Sequence, residues 1–118
     1  MSGRSSVETG AEAEKRAAAF LEKKGFRIIG RNFRSRFGEI DLIAEDGRRI
    51  VFVEVRCRNR SDYGLPEETV DRFKQNKLLK TAEFYLAGRG LAGKDARFDV
   101  VAAGKDGKIK HIENAFDA

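Results

Sequence analysis

The sequence is poor in cysteine and histidine and has no long apolar run, which excludes several large classes of protein. Its 118 residues include one cysteine and one histidine, which excludes a disulfide framework, a zinc finger and a histidine-rich metal centre. Apolar runs such as residues 17–21 and 50–53 are far too short to cross a bilayer. No apolar segment follows the first residues, so we expect no signal peptide, no membrane partner and a reducing, cytoplasmic location.

Basic charge and apolar content are what the sequence does supply. Lys and Arg total 24 against 19 Asp and Glu, a net charge of +5, and this balance favours polyanionic partners, chiefly nucleic acid. Apolar residues make up 41%, which suits a single domain over residues 9–118 behind a disordered tail, residues 1–8. Solvated surface charge explains any single arginine as well as a phosphate contact does. The candidate residues for contacts with the phosphate backbone of a nucleic acid are Arg31, Arg34, Arg58 and Arg60.

Hydrophobic periodicity and turn residues predict the order helix, three strands, helix, two strands, and hence an α/β domain. Helices are expected over residues 9–24 and 66–87, the first ended by Gly25 and the second begun by Pro66. Strands are expected over residues 26–33, 39–45, 49–57, 96–103 and 108–112, with turns at Asp46-Gly47 and Asp106-Gly107. The third strand is apolar on both faces, which predicts a central position.

Two acidic residues interrupt otherwise apolar strands. Asp41 lies in the second strand and Glu54 in the third, where a charge is costly unless it is paired or bound to a metal. A two-residue hairpin loop would set Asp41 opposite Phe52, and a four-residue loop would set it opposite Glu54. Either loop places both carboxylates on one face of the sheet, whereas a loop of odd length would separate them.

Converging carboxylates suit a hard cation such as Mg²⁺ or Mn²⁺, which binds phosphate and lowers the pKa of a bound water. Arg56 shares the face of Glu54 and would stabilise negative charge developing on phosphorus. The constellation of Asp41, Glu54 and Arg56 therefore predicts phosphodiester hydrolysis. The alternative interpretation of the same residues is a surface hairpin with an ion pair at its rim.

The helices add further candidates. Glu14 falls on the margin of the first helix's apolar face, from which it could reach inward as a third carboxylate. Lys74 and Lys77 fall among apolar residues of the second helix, including Phe73, which is predicted to be buried. These lysines either hold a phosphate or the attacking water, or extend past the apolar stripe to solvent.

Four short strings resemble the signature of one bacterial family. Residues 38–44 (GEIDLIA), 52–56 (FVEVR), 31–33 (RNF) and 97–101 (RFDVV) resemble, in order and spacing, the YraN-type uncharacterised bacterial proteins. That family is similar to archaeal Holliday-junction resolvases and shares the restriction-endonuclease-like PD-(D/E)xK core. The resemblance implies a three-layer fold in which a mixed central β-sheet is flanked by helices.

The resemblance also implies a metal-dependent nuclease that acts on DNA, with branched DNA as a candidate substrate. The motif's acids map onto Asp41 and Glu54, its lysine onto Arg56, and the resolvase helix acid onto Glu14. The metal ligands for Mg²⁺ or Mn²⁺ are then Glu14, Asp41, Glu54 and the backbone carbonyl of Val55. Arg56 would stabilise the transition state, Lys74 would contact a phosphate, and Lys77 would contact the nucleic acid.

Two alternatives stay open at the level of the sequence. Arginine is always protonated and cannot act as a base, so Arg56 at the lysine position leaves room for an inactive nucleic-acid-binding module. A dimeric scaffold subunit is the second alternative. Leu79 and Leu86 fall on the side of the second helix away from Val70, where they would form a homodimer patch.

Overall fold

The structure is a computed structural model that describes residues 10–58, 70–104 and 107–116. Along these ranges the predicted order of helices and strands is confirmed. The elements are α1 (Gly10–Lys23), β1 (Arg27–Ser35), β2 (Gly38–Asp46), β3 (Arg49–Arg58), α2 (Arg72–Gly88), β4 (Ala96–Gly104) and β5 (Ile109–Phe116). The predicted tail, Arg60, Pro66 and the side chain of Arg58 lie outside the described residues.

The five strands form one mixed sheet in sequential order, β1-β2-β3-β4-β5. All neighbours are antiparallel except β3 and β4, which are parallel because α2 crosses between them. β3 is therefore central, as its two-sided apolarity predicts. Leu21 of α1 packs with Val53 on one face, and Leu78 of α2 packs with Phe52 on the other. The result is an α/β domain with the sheet between two helices.

The end of α1 follows the predicted glycine signal. Gly25 has a φ of 99°, a conformation that a side chain would strain. Its N–H bonds to the Glu22 carbonyl and the N–H of Phe26 bonds to the Leu21 carbonyl, a pairing that closes a helix and turns the chain back. No helix within the described ranges is long and apolar enough to cross a membrane.

The start of α2 differs from the prediction. Val70 and Asp71 are not helical, so a continuous helix from Pro66 is wrong. Asp71 is the N-cap, with extended backbone, and its carboxylate accepts a hydrogen bond from the Lys74 N–H at 2.8 Å. A capping carboxylate satisfies one of the free N–H groups of the first turn, which explains why the helix begins at Arg72.

Two predictions about the faces of α2 are also wrong. Phe73 is 71% exposed instead of buried. Leu79 and Leu86 are partly buried and pack against the apolar cluster beneath α2, so they do not face away from the core as expected, and the homodimer stays a prediction. The periodicity was misjudged because Val70, which is buried but lies ahead of the helix, was treated as part of the helical stripe.

The β2–β3 hairpin turns one residue later than predicted. Asp46 pairs with Arg49, so the loop is Gly47-Arg48, and Gly47 has a φ of 65°. The register nevertheless equals that of the four-residue alternative, with Leu42 opposite Val53. If this register continued by one more residue, Asp41 of β2 would lie opposite Glu54 of β3.

Candidate active site

Asp41 lies where the pairing of β2 with β3 stops. The cross-strand register runs as far as Leu42 and Val53, so Asp41 and Glu54 are the first residues beyond it. Asp41 then uses its side chain where the backbone would otherwise pair, and its Oδ2 accepts a hydrogen bond from the Val55 N–H at 2.8 Å. The carboxylate is thereby fixed between the two strands.

Regular alternation from Ile43, which packs beneath α2, places Asp41 on the α2 side of the sheet with Glu54. Ile40 and Ile43 both pack into the apolar cluster beneath α2, although residues three apart on a strand should face opposite sides. β1 is irregular at the same level, since Asn32 has a φ of 51°. The sequence argument thus identified the correct neighbours, Asp41 and Glu54, and the irregularity falls at Ile40, the residue before Asp41.

Glu54 lies on the α2 side of the central strand and is held between two cations. Lys74 Nζ is 2.7 Å from Glu54 Oε2, and Arg56 NH2 is 3.5 Å from the same oxygen. The Glu54 side chain is only 12% exposed, whereas that of Lys74 is 40% exposed. A lysine from the first turn of α2 therefore spans from solvent to an acid in the middle of the sheet.

Asp41, Glu54 and Lys74 line a cavity of about 480 Å³ between the start of β2, the middle of β3 and the N-terminal turns of α2. Its acidic lining residues are Glu39, Asp41, Glu54 and Asp71, and its basic ones are Lys74 and Lys77. Gly38 forms the closest approach of the two elements, because a Cβ there would lie 3.1 Å from Thr81 Oγ1.

The carboxyl of Asp41 is electrostatically perturbed. Burial raises the pKa of Asp41 to about 7, and the charges of Glu54, Glu14 and Glu39 add to the rise, while the Val55 N–H opposes it. The two physical causes are the loss of solvation and the crowding of like charges. At neutral pH Asp41 is therefore partly protonated, whereas an ordinary aspartate is fully ionised.

Glu14 reaches this neighbourhood from α1. It is half-buried, and its charge is near enough to raise the pKa of Asp41. Across residues 10–58, 70–104 and 107–116, however, no three Asp, Glu, His or Cys side chains group closely enough to hold one ion. Any metal here would rely on fewer carboxylates, supplemented by backbone or water oxygens.

The basic residues proposed to contact the nucleic-acid backbone lie at different distances from the cavity. Arg31 is exposed on the edge strand β1, outside the lining of the cavity. Arg34 bonds to Glu39 at 3.4 Å and so stands at the rim. Lys77 lines the cavity, with its Nζ 5.1 Å from the ring centre of Phe73.

Sequence reasoning missed two of the lining acids. Glu39 directly follows the turn glycine and was treated as an ordinary strand residue. Asp71 precedes an Arg-Phe-Lys start to the helix, and an aspartate in that place is a signal for an N-cap. Recognising this cap would have moved the start of the helix and exposed Phe73.

A second buried carboxylate lies on the opposite face, beneath the end of α1. Asp99 is 1% exposed. His111 Nε2 is 2.7 Å from Oδ2, Arg97 Nε donates to Oδ1 at 2.9 Å, and the Asn114 N–H donates to Oδ1 at 2.9 Å. Burial alone would raise the pKa of Asp99, but these hydrogen bonds hold it below its usual value.

Comparison with known sequences identifies the family. Residues 13–103 match the family described as "Uncharacterised protein family UPF0102". A UPF0102 protein of Persephonella marina is 52% identical over 108 residues, which cover 92% of each chain. One from Geobacter sulfurreducens is 45% identical over 92% of this chain and 88% of its own, and one from Alkaliphilus metalliredigens is 46% identical over 94% and 99%. The chain belongs to the UPF0102 family.

Proposed function

We propose that this protein is a divalent-metal-dependent nuclease of the cytoplasm that hydrolyses phosphodiester bonds in DNA, with branched DNA as the favoured substrate. The observation that carries the proposal is one open cavity in which Asp41 and Glu54, from adjacent strands, meet Lys74, while Arg56 contacts Glu54 from the same strand. A sheet between two helices, with acids on β2, β3 and α1, supports a restriction-endonuclease-like core related to that of the resolvases.

The residues of the cavity fit a divalent cation such as Mg²⁺ or Mn²⁺. The crowding of negative charge that raises the pKa of Asp41 is what a divalent cation would relieve. Mg²⁺ commonly takes one or two carboxylates and keeps several waters, so Asp41 and Glu54, with the Val55 carbonyl and the nearby charge of Glu14, would suffice. When bound, the ion would polarise a phosphate oxygen and lower the pKa of a water.

The chain's own groups supply the remaining chemistry. In the metal-free protein Asp41, with a pKa of about 7, exchanges a proton near neutral pH; a bound ion would displace that proton and use the carboxylate as a ligand. Arg56 stays protonated and would stabilise negative charge in the transition state. Lys74 is partly exposed and paired with Glu54, so it can exchange that carboxylate for an incoming phosphate.

The same ion pairs favour a second candidate, a module that binds nucleic acid without cleaving it. Lys74 and Arg56 both compensate the charge of Glu54, which reduces its demand for a metal. In this case Asp41 would be a buried acid that is protonated in part, and the cations would serve only for binding.

The decisive experiment is a cleavage assay with Mg²⁺ or Mn²⁺ on single-stranded, duplex, flap and four-way DNA. We expect cleavage, greatest on branched DNA, and loss of at least about a hundredfold in rate for Asp41→Asn and Glu54→Gln. Arg56→Lys tests whether the cation must be a guanidinium. Glu22→Gln, on the exposed side of α1, is the matched control and should cleave normally.

Two results would overturn the nuclease. Cleavage that Glu54→Gln leaves undiminished would remove the cavity from the mechanism. Binding without cleavage by the wild type, unchanged in Asp41→Asn, would establish the second candidate instead. Circular dichroism and urea unfolding of each variant distinguish lost chemistry from lost structure.

A further inference from the structure

One exposed stripe of α2 alternates aromatic and basic residues. Phe73, Lys77, Lys80 and Phe84 are spaced by four, three and four residues, which places them along one face of a helix. All four are exposed, with Phe73 at 71% and Phe84 at 51%. Large aromatic rings in such positions are unusual on a surface that has no partner.

Cations accompany the rings at both ends of the stripe. Lys77 Nζ lies 5.1 Å from the ring centre of Phe73. Phe84 lies 6.1 Å from the ring of Phe37, over which the Arg36 guanidinium stands at 5.1 Å. Aromatic faces next to positive charge are the combination with which proteins bind single-stranded nucleic acid.

The stripe is continuous with the candidate active site. Phe73 and Lys77 line the same cavity as Asp41 and Glu54, and the stripe runs from there toward the far end of α2. Phe73 and Phe84 are eleven residues apart, about 16 Å along the helix axis, which is the length of a few nucleotides. A strand lying along the stripe would therefore end at the carboxylates.

We propose that this stripe binds an unpaired, single-stranded segment of the substrate, with Phe73 and Phe84 stacking on bases and Lys77 and Lys80 contacting phosphates. The inference rests on the proposed function and specifies its substrate class as DNA with an unpaired strand. It explains why Phe73 is exposed beside the cavity and Phe84 farther along the same face of α2.

Charge argues for this occupant over a second copy of the chain. Residues 72–88 hold four basic residues and one acid, Glu83. A symmetric contact between two such stripes would bring lysines of both copies together in an interface with little water, where unpaired charge is costly. A polyanion with aromatic bases matches both components of the stripe.

The test separates base stacking from phosphate binding. Fluorescence anisotropy in EDTA, which prevents cleavage, would compare a labelled oligothymidylate with an abasic strand of the same length and with a blunt duplex. The variants are Phe73→Leu, Phe84→Leu and their double, which keep apolar bulk but remove the aromatic face. Lys77→Gln tests the phosphate contact, and Lys23→Gln on α1 is its matched control.

We expect the wild type to prefer oligothymidylate over the abasic strand, and each leucine variant to reduce that preference about tenfold. Lys77→Gln should weaken both strands alike, and Lys23→Gln should weaken neither. Equal binding of both strands by the wild type would overturn the inference while leaving the proposed nuclease intact. No binding of any oligonucleotide would contradict both. A wild-type dimer that the double variant converts to monomer would identify the stripe as a contact between copies.

Discussion

Two buried carboxylates on opposite faces of the same sheet differ in their hydrogen-bond partners and in the direction of their pKa shifts. Asp99 receives hydrogen bonds from Arg97 and Asn114 and contacts His111, and its pKa is held below the usual value. Asp41 receives one bond from Val55 and stands among other acids. Burial raises its pKa to about 7.

The contrast separates Asp99, an acid whose ionised form the fold stabilises, from Asp41, an acid whose ionised form the fold destabilises. A buried charge with several partners is costly to disturb, because removing it leaves those partners uncompensated. A buried acid with few partners and a shifted pKa, next to an open cavity, is a candidate for function. The two residues should therefore respond in opposite directions to the removal of their charge.

The largest effect is expected at Asp99. Asp99→Ala should lower the free energy of unfolding by about 3–5 kcal/mol, because Arg97 and His111 would be left without their buried partner. Urea denaturation at neutral pH measures this change. A loss below about 1 kcal/mol would mean that water replaces the carboxylate and that the network is not structural.

Asp41→Asn should have the opposite sign, and only at high pH. The folded pKa of about 7 exceeds the unfolded value of 3.8, so the native state keeps a proton that the unfolded chain releases. The stability of the wild type then falls as pH rises from about 4 to 7, and is level above that. Asparagine has no proton to lose, so the variant escapes this fall.

Asp41→Asn is accordingly expected to be more stable by about 2–4 kcal/mol near pH 8 and unchanged near pH 3.5. Denaturation curves of both proteins at several pH values give the difference directly. Glu22→Gln, whose carboxylate is exposed, should track the wild type throughout. An asparagine variant that is less stable at every pH would show that Asp41 is well solvated or well paired.

A third difference concerns metal. If Mn²⁺ binds at Asp41, it must displace the proton, so its affinity should rise by up to about tenfold per pH unit below pH 7 and level off above. Isothermal titration in two buffers of different ionisation enthalpy would report the proton released. Asp41→Asn should bind weakly and without this dependence. An affinity that does not change with pH would place the ion elsewhere.

How much of these two regions the sequence predicted depended on how far apart along the chain the contacting residues lie. The convergence of Asp41 and Glu54 was predictable because a hairpin joins their strands, so the only unknown was the length of one loop. The positive φ of Asn32 was not predictable, because the length of the loop between β2 and β3 gives no information about β1. Even so, the register placed both acids side by side.

The network around Asp99 was not predicted at all, although the string from Arg97 to Val101 was noted. Arg97 lies two residues before Asp99 and shares its face, which is a local signal. His111 and Asn114 come from β5. The Asp106-Gly107 turn predicts that this strand pairs with β4, but it does not predict the register, and Asn114 lies beyond the expected end of the strand at residue 112. The exposure of Phe73 depends instead on where α2 begins, which Asp71 signals.

The smallest effect tests whether the Asp99 network extends to its rim. Lys24 Nζ is 2.8 Å from His111 Nδ1, so it donates to the ring nitrogen that does not face Asp99. The side chain of Lys24 is 39% exposed, and water can replace it there. Lys24→Gln should therefore cost less than about 1 kcal/mol by urea denaturation. A cost approaching that of Asp99→Ala would mean that Lys24 fixes the tautomer of His111, and that the network is one cooperative unit from the end of α1 to β5.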